Sequence, residues 1–139
     1  MNTSQSNQEL PDVIEGFVTW DDERGITTGS SADAQWNKLL EEVIELYAAL
    51  HPEKSADGIK FAILAKVNDL HRRGKIKGIP ENDDPRPHLE DAVGDSMKCL
   101  TSVANLSDVN LANASKLALA VINARDGALD PITKIWEKQ

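Results

Sequence analysis

The sequence predicts an all-α domain, a bundle of four to five helices, on three observations. Aromatic residues make up only 4% of the chain, and its apolar residues are mostly Leu, Ala, Ile and Val. A β-sandwich or barrel draws more heavily on aromatic and β-branched side chains. Apolar residues recur at helical spacing in five stretches, and no stretch shows convincing strand alternation. Helix-starting and helix-stopping residues fall between those stretches. The 139 residues suit one domain, residues 1–139. An apolar fraction of 40% is enough for a core at this size.

The elements follow in order. Residues 1–9 are polar and read as a flexible tail. Pro11 sits where a first helical turn tolerates proline, and Val13, Ile14, Phe17 and Val18 space a helix to about Asp22. Gly25 and the run Thr27 to Ser30 form a loop. Ser30 or Ser31 caps a second helix, and Trp36, Leu39, Leu40, Val43, Ile44, Tyr47 and Leu50 are its apolar stripe before His51-Pro52 stops it. A third helix runs from Ser55 or Ala56 to about His71, with Ile59, Ala62, Ile63, Val67 and Leu70 on one face. Arg72, Arg73, Lys75 and Lys77 then make a basic stretch, which complements the negative end of that helix. Residues 79–87 hold three prolines and three acids and read as a loop.

A fourth helix starts near Pro87 or His88, with Leu89, Val93, Met97, Leu100 and Ala104 as its buried stripe. Ser107 caps a fifth, which runs to about Arg125 with Gly127 just beyond its end. Its stripe is Leu111, Ala114, Ala118, Val121 and Ile122. The last ten residues read as a docked tail carrying Ile132, Ile135 and Trp136.

Charge narrows the function. Asp plus Glu total 23 against 15 Lys plus Arg, a net charge of −8, which argues against a binder of nucleic-acid backbone. The single cysteine, Cys99, forms no internal disulfide, and the expected compartment is the cytoplasm. No apolar run approaches the roughly 18 residues of a membrane span, and no signal peptide is recognisable. There is no Gly-rich phosphate loop, dinucleotide fingerprint or nucleophile elbow. The three histidines match no zinc spacing and read as structural or surface residues.

Two acidic ridges stand out. Glu41, Glu42 and Glu45 fall within about one turn on the side of the second helix away from its apolar stripe. Like charges so spaced repel by a few tenths of a kcal/mol, which Lys38 partly offsets. Glu is also a good helix former, and such runs are common on exposed faces. Asp91 and Asp95 form a ridge on the fourth helix, where Asp is a poor helix former and the adjacent Gly94 a poorer one. With the second and fourth helices packed antiparallel, the ridges face one cleft, and their oxygens suit a hard cation such as Mg²⁺ or Mn²⁺. A bound cation lets an acidic protein take an anionic triphosphate.

The motifs around these ridges resemble those of the MazG-like all-α nucleoside triphosphate pyrophosphohydrolases. The matching residues are Trp20 with Asp22 to Ile26, then Gln35, then Lys38-Leu39-Leu40-Glu41-Glu42-Val43-Ile44-Glu45-Leu46. Asp91-Ala92-Val93-Gly94-Asp95 and Asn123-Ala124-Arg125-Asp126-Gly127 complete the set, in the family's order and over most of the chain.

The resemblance implies hydrolysis of a nucleoside triphosphate to the monophosphate and pyrophosphate. It implies Glu42, Glu45 and Asp95 as ligands of Mg²⁺ (or Mn²⁺), with Glu41 a ligand or an acid that orients water. Glu41 and Glu42 are thus the catalytic candidates. Lys38, Asn123 and Arg125 are implied at the phosphates or ribose, and Gln35, Trp20 and Trp36 near the base. It also implies a homodimer or homotetramer, as does the need of both ridged helices for burial on their other sides. Two departures stand beside it. Ala92 occupies the position where the family's second motif carries Glu, which leaves Asp91, or Glu90, to supply that oxygen. The link between Glu45 and Asp91 is also longer than usual in the family, and beside the helix-end reading of Arg72, Arg73, Lys75 and Lys77 stands a second, in which they fold over the cleft and contact phosphates. The alternative expectation is a helical interaction or nucleotide-binding protein that keeps the fold without catalysis.

Overall fold

A computed structural model describes residues 3–139, with side chains from Leu10 onward. The chain is mostly helical. Its elements are α1 (Thr3–Glu23), α2 (Ile26–Gly29), α3 (Ala32–Leu50), α4 (Ala56–Arg72), α5 (Pro85–Leu106) and α6 (Leu111–Asn123), followed by strands β1 (Gly127–Leu129) and β2 (Trp136–Lys138). No helix among the described residues is long and apolar enough to cross a membrane. The chain divides into two compact units, Met1–Gln35 with Ala92–Gln139, and Trp36–Asp91.

The first unit holds all the buried residues among those described: Val13, Trp20, Ile26, Ala34, Ala104 and Ala112. Val13, Gly16, Phe17 and Trp20 lie at i, i+3, i+4 and i+7, so α1 turns one stripe inward. That stripe packs on α6. Gly16 lets Leu119 of α6 occupy the space where a Cβ would sit. The Trp20 indole N–H donates to the Ile122 carbonyl at 3.2 Å. Its ring meets Trp136 of β2 edge-to-face, with centroids 4.9 Å apart. Gly25, at φ 80°, turns the chain from α1 into the single turn of α2.

α6 begins at Asn110, whose side chain accepts from the Asn113 N–H at 2.9 Å, rather than at Ser107. It ends at Asn123. Gly127 therefore does not terminate a helix. It pairs with Lys138 in an antiparallel hairpin, with Ala128 opposite Glu137 and Leu129 opposite Trp136. The side of Gly127 where a Cβ would project is filled by the Trp136 ring and the Glu137 carbonyl. Asp130 organises the turn. Its carboxylate accepts from the Ile132 N–H at 2.8 Å, the Thr133 N–H at 2.7 Å and the Thr133 hydroxyl at 3.1 Å. These bonds, led by those from the Thr133 and Ile132 amides, hold its pKa below the usual carboxylate value.

In the second unit no residue is buried. α3 is started from the first unit by Ser31, whose Oγ accepts from the Ala34 N–H at 3.1 Å, and ends at His51-Pro52. The Ser55 hydroxyl caps α4 by accepting from the Gly58 N–H at 3.1 Å. Gly74, at φ 68°, closes α4, and the Lys75 N–H reaches the Leu70 carbonyl at 2.8 Å. Arg72 and Arg73 both pair with Asp69. The Lys66 ammonium stands 5.7 Å from the centre of the Tyr47 ring, which ties α4 to α3.

Further expectations change. α1 runs through Pro11 from Thr3, and of the expected tail, residues 1–9, Met1 and Asn2 and all nine side chains lie outside the described residues. The loop between Gly25 and Ser30 contains a helical turn. The docked tail is a hairpin. The apolar stripes of α3, α4 and, apart from Ala104, α5 are not buried within the chain: Trp36, Leu39 and Val43 are at least half exposed, as are Leu89 and Val93. On α6 the inward face is Ala112, Ser115, Leu119 and Ile122, while Ala114, Ala118 and Val121 face solvent. Helical period locates a stripe, but only a partner surface buries it.

Candidate functional site

α3 presents the clearest cluster. Lys38 Nζ pairs with Glu41 Oε1 and with Glu42 Oε1, both at 3.0 Å, across i, i+3 and i, i+4. Partial burial lowers the pKa of Lys38, but the hydrogen bonds and charges of the two glutamates outweigh it and raise the ammonium above its usual value. The cation therefore stays protonated at any neutral pH. Both glutamates are more than half exposed, so the pairs are solvent-screened. Glu45, one turn on from Glu41, is exposed and has no hydrogen bond or ion pair among the described residues. This face is polar because the apolar residues of α3 follow the other side of the helix.

On α5, Asp91 and Asp95 are exposed and likewise unpartnered among the described residues. Asp91 closes the second unit and Asp95 lies in the first. Nothing within 4 Å would meet a Cβ at Gly94, so the backbone between them is open. Ala92 carries no donor, but its carbonyl accepts the Ser96 hydroxyl at 2.7 Å. Glu90 is paired with Arg86 at 3.0 Å. Among the described residues, no group of three or more His, Cys, Asp or Glu side chains is arranged to hold a metal. The carboxylates fit a hard divalent cation in kind, as oxygen donors open to solvent.

Gln35 belongs to a separate polar cluster in the first unit. Its Nε2 donates to the Ser30 hydroxyl at 2.9 Å and points to the Lys134 carbonyl at 3.5 Å. The Ser30 hydroxyl in turn donates to the Lys134 carbonyl at 2.6 Å. Lys134 is placed there by a left-handed backbone, φ 62°, in the hairpin turn. Beside them lies an open recess of about 210 Å³ lined by Ile26, Thr27, Ser30, Ser31, Ala32 and Gln35. Thr27 is tied back to Asp22 by a 2.5 Å hydrogen bond. The Asp21 carboxyl is pushed up by desolvation and then by the charge of Asp22. Ser30 and Lys134 are the members that sequence reading missed. A Ser-Ser pair before a helix signals only a cap, and nothing in the local sequence of Lys134 reveals that its carbonyl lies across from Gln35.

Asn123 ends α6, and Arg125 follows with its N–H on the Ile122 carbonyl at 3.1 Å. Both side chains are exposed. Asn123 borders an open groove of about 430 Å³ between α1 and α6, with Asp12, Val13, Lys116, Leu119 and Ala120. Trp20 is buried in the core and held by Ile122 and Trp136, so it is not a free stacking surface. Trp36 is 56% exposed. The expected site residues thus fall into four local groups: Lys38 with Glu41, Glu42 and Glu45 on α3; Asp91 and Asp95 on α5; Gln35 with Ser30; and Asn123 with Arg125.

Comparison of the chain with protein-family models, curated proteins and solved structures finds no match.

Proposed function

We propose that the chain is a metal-dependent nucleoside triphosphate pyrophosphohydrolase of the cytoplasm. The reaction is (d)NTP plus water to (d)NMP plus pyrophosphate, a chemistry suited to clearing unwanted nucleotides from the pool. The observation that carries this reading is the solvent-facing group on α3, in which a protonated Lys38 is paired with Glu41 and Glu42 and Glu45 follows one turn on from Glu41. The order of the motifs along the chain supports it, because the second acidic ridge and the Asn-x-Arg-x-Gly segment follow as the MazG-like resemblance requires.

In this reading the carboxylates that would serve Mg²⁺ or Mn²⁺ are Glu42 and Glu45 on α3 and Asp91 and Asp95 on α5, and a bound cation would offset the charge of the triphosphate. Lys38 supplies a fixed positive charge for phosphate oxygens. Glu41 or Glu42 accepts the proton of the attacking water, and both carboxyl groups are open to solvent for that task. The water oxygen bonds to a phosphorus of the chain as the bond to the pyrophosphate oxygen breaks. Arg125 and Asn123 offer an exposed guanidinium and amide to phosphate or ribose, and Gln35 is aimed by Ser30 beside a recess.

The test is pyrophosphate release over a panel of common and modified nucleoside triphosphates with Mg²⁺ or Mn²⁺. Glu42→Ala and Asp95→Ala should each lower turnover by at least about 100-fold, the low end of a proton-transfer or ligand role. Equal turnover in parent and variants sinks the site, and orthophosphate without pyrophosphate sinks the cleavage position. A second reading, a nucleotide-binding or interaction protein without turnover, draws on Ala92, where the resemblance calls for a carboxylate. Calorimetry that shows triphosphate binding without pyrophosphate release selects it.

A further inference from the structure

The neighbours of Gln35 settle which end of its amide faces them. The Ser30 hydroxyl has one hydrogen and donates it to the Lys134 carbonyl at 2.6 Å. What Ser30 offers Gln35, 2.9 Å away, is therefore a lone pair, and only the Nε2 end of the amide can meet it. The Lys134 carbonyl, 3.5 Å from the same nitrogen, is likewise an acceptor. Turning the amide over would set Oε1 against two acceptors and leave the N–H groups without either partner. Gln35 thus keeps its donors toward the hairpin turn. Its Oε1 is the end left over, with no hydrogen bond among the described residues.

The same pattern recurs around the recess of about 210 Å³ that Gln35, Thr27 and Ser30 line. The Thr27 hydroxyl gives its hydrogen to the Asp22 carboxylate at 2.5 Å. At all three residues the side-chain hydrogens are engaged within the protein, and lone pairs remain for a ligand. Ile26, 8% exposed, and Ala32 supply apolar lining. The arrangement lies wholly in the first unit and is held from both sides. The Lys134 N–H bonds the Asp130 carbonyl at 2.9 Å, and the Asp130 N–H bonds the Ile135 carbonyl at 2.9 Å, which fixes the turn that presents the Lys134 carbonyl. An acceptor so fixed before a ligand arrives selects more sharply than one that can turn to suit it.

We infer that this recess selects nucleotides whose base bears an exocyclic amino group. Gln35 Oε1 is the accepting group, and Ser30 with the Lys134 carbonyl is the positioning pair that keeps it an acceptor. Cytosine, adenine and guanine each carry such an amino group, with two N–H donors. Uracil and thymine place a keto oxygen where cytosine has its amino group, and that oxygen against Oε1 sets acceptor against acceptor. Hypoxanthine is guanine without the amino group, and leaves Oε1 unpaired. The inference rests on the nucleotide reading above and deepens it: the resemblance sets Gln35 near a base and leaves the base open.

Two pairs of nucleotides that differ at the amino position test this on the full chain: dCTP with dUTP, and dGTP with dITP. Calorimetry of their α,β-imido analogues with Mg²⁺ reads affinity, and pyrophosphate release from the natural forms reads turnover. The amino member of each pair should bind about tenfold more tightly, the order of one unmade hydrogen bond. Gln35→Leu should bring both ratios close to one. Ser30→Ala frees the amide to turn over and should also narrow them, whereas Ser30→Thr, which keeps the hydroxyl, should restore them. Circular dichroism establishes that each variant is folded, and Gln35→Leu decides alone if Ser30→Ala is not. A parent that binds both members of each pair alike, or prefers dUTP and dITP, overturns the inference. So does selectivity that survives Gln35→Leu, or a parent that binds none of the four analogues. Selective binding without pyrophosphate release sinks the hydrolase reading and leaves this one standing, and release without selectivity does the reverse.

Discussion

The two units are built from helices of the same kind and differ in what those helices lean on. In the first, α1 meets α6 and a hairpin supplied by the far end of the chain. Trp20 thus gains a hydrogen bond to Ile122 and an edge-to-face ring contact with Trp136. In the second, α3 and α4 carry apolar stripes of their own, yet every residue from Trp36 to Asp91 retains solvent contact. The contrast separates two quantities that a helical pattern conflates. Amphipathicity says which side of a helix seeks burial, whereas burial itself requires a complementary surface that comes from elsewhere.

The comparison is broken most severely at Trp20. Trp20→Ala removes a side chain that is 7% exposed, together with its bond to α6 and its contact with β2. A loss of about 3–5 kcal/mol is expected, seen as an earlier denaturant transition with loss of near-ultraviolet signal from the remaining tryptophans. If stability is unchanged, the first unit does not have its core here.

Gly127→Ala comes next. The added methyl group meets the Trp136 ring and the Glu137 carbonyl, a partner that cannot swing away as a flexible side-chain end does. A cost of about 1–3 kcal/mol follows, confined to the hairpin and its packing on Trp20, and hydrogen exchange of the β1–β2 amides reports it.

Helix caps sharpen the contrast at a smaller scale. Ser55→Ala and Asn110→Ala each remove one side-chain acceptor from a helix start, α4 in the second unit and α6 in the first. Each should cost about 1 kcal/mol. The loss at Asn110 should appear in the unfolding of the Trp20 core, whereas that at Ser55 should appear in helix content alone.

The smallest effect is one of pH. The folded-state pKa of Asp130 is depressed by the amides of Thr133 and Ile132, so its contribution is present above its unfolded value of about 3.9 and is lost as pH falls through the folded value. Acidification below about pH 4 should therefore loosen the hairpin turn, read as a change in Trp136 fluorescence. Asp130→Ala should remove that component of the titration, and an unaltered acid titration in the variant would refute it.

Much of this was legible in single residues. Ser31 and Ser55 before their helices, and Pro52 after α3, carry their own local chemistry, and α3 and α4 begin and end within a residue or so of the expected places. The Lys38–Glu41–Glu42 group was legible for the same reason, since i, i+3 and i, i+4 neighbours on a helix meet whatever surrounds them. The hairpin was not. Strands of three residues show no usable alternation, and Gly127 after a helical stretch looks like a helix terminator. What makes it a strand residue is Trp136, nine positions on, which fills the space beside it. Pro11 likewise suggested a helix start, yet it lies inside α1.

The sequence by itself determined the helical class, most helix ends and the side of α3 on which three carboxylates and a lysine gather, because each depends on neighbours within a turn or two. Only the tertiary structure decided that Gln35 is held by Ser30 and the Lys134 carbonyl, that Trp20 is a core residue, and that the stripes of α3 and α4 remain uncovered within one chain. Those outcomes depend on contacts between residues about a hundred positions apart, or on their absence, and no local period encodes which distant surface arrives.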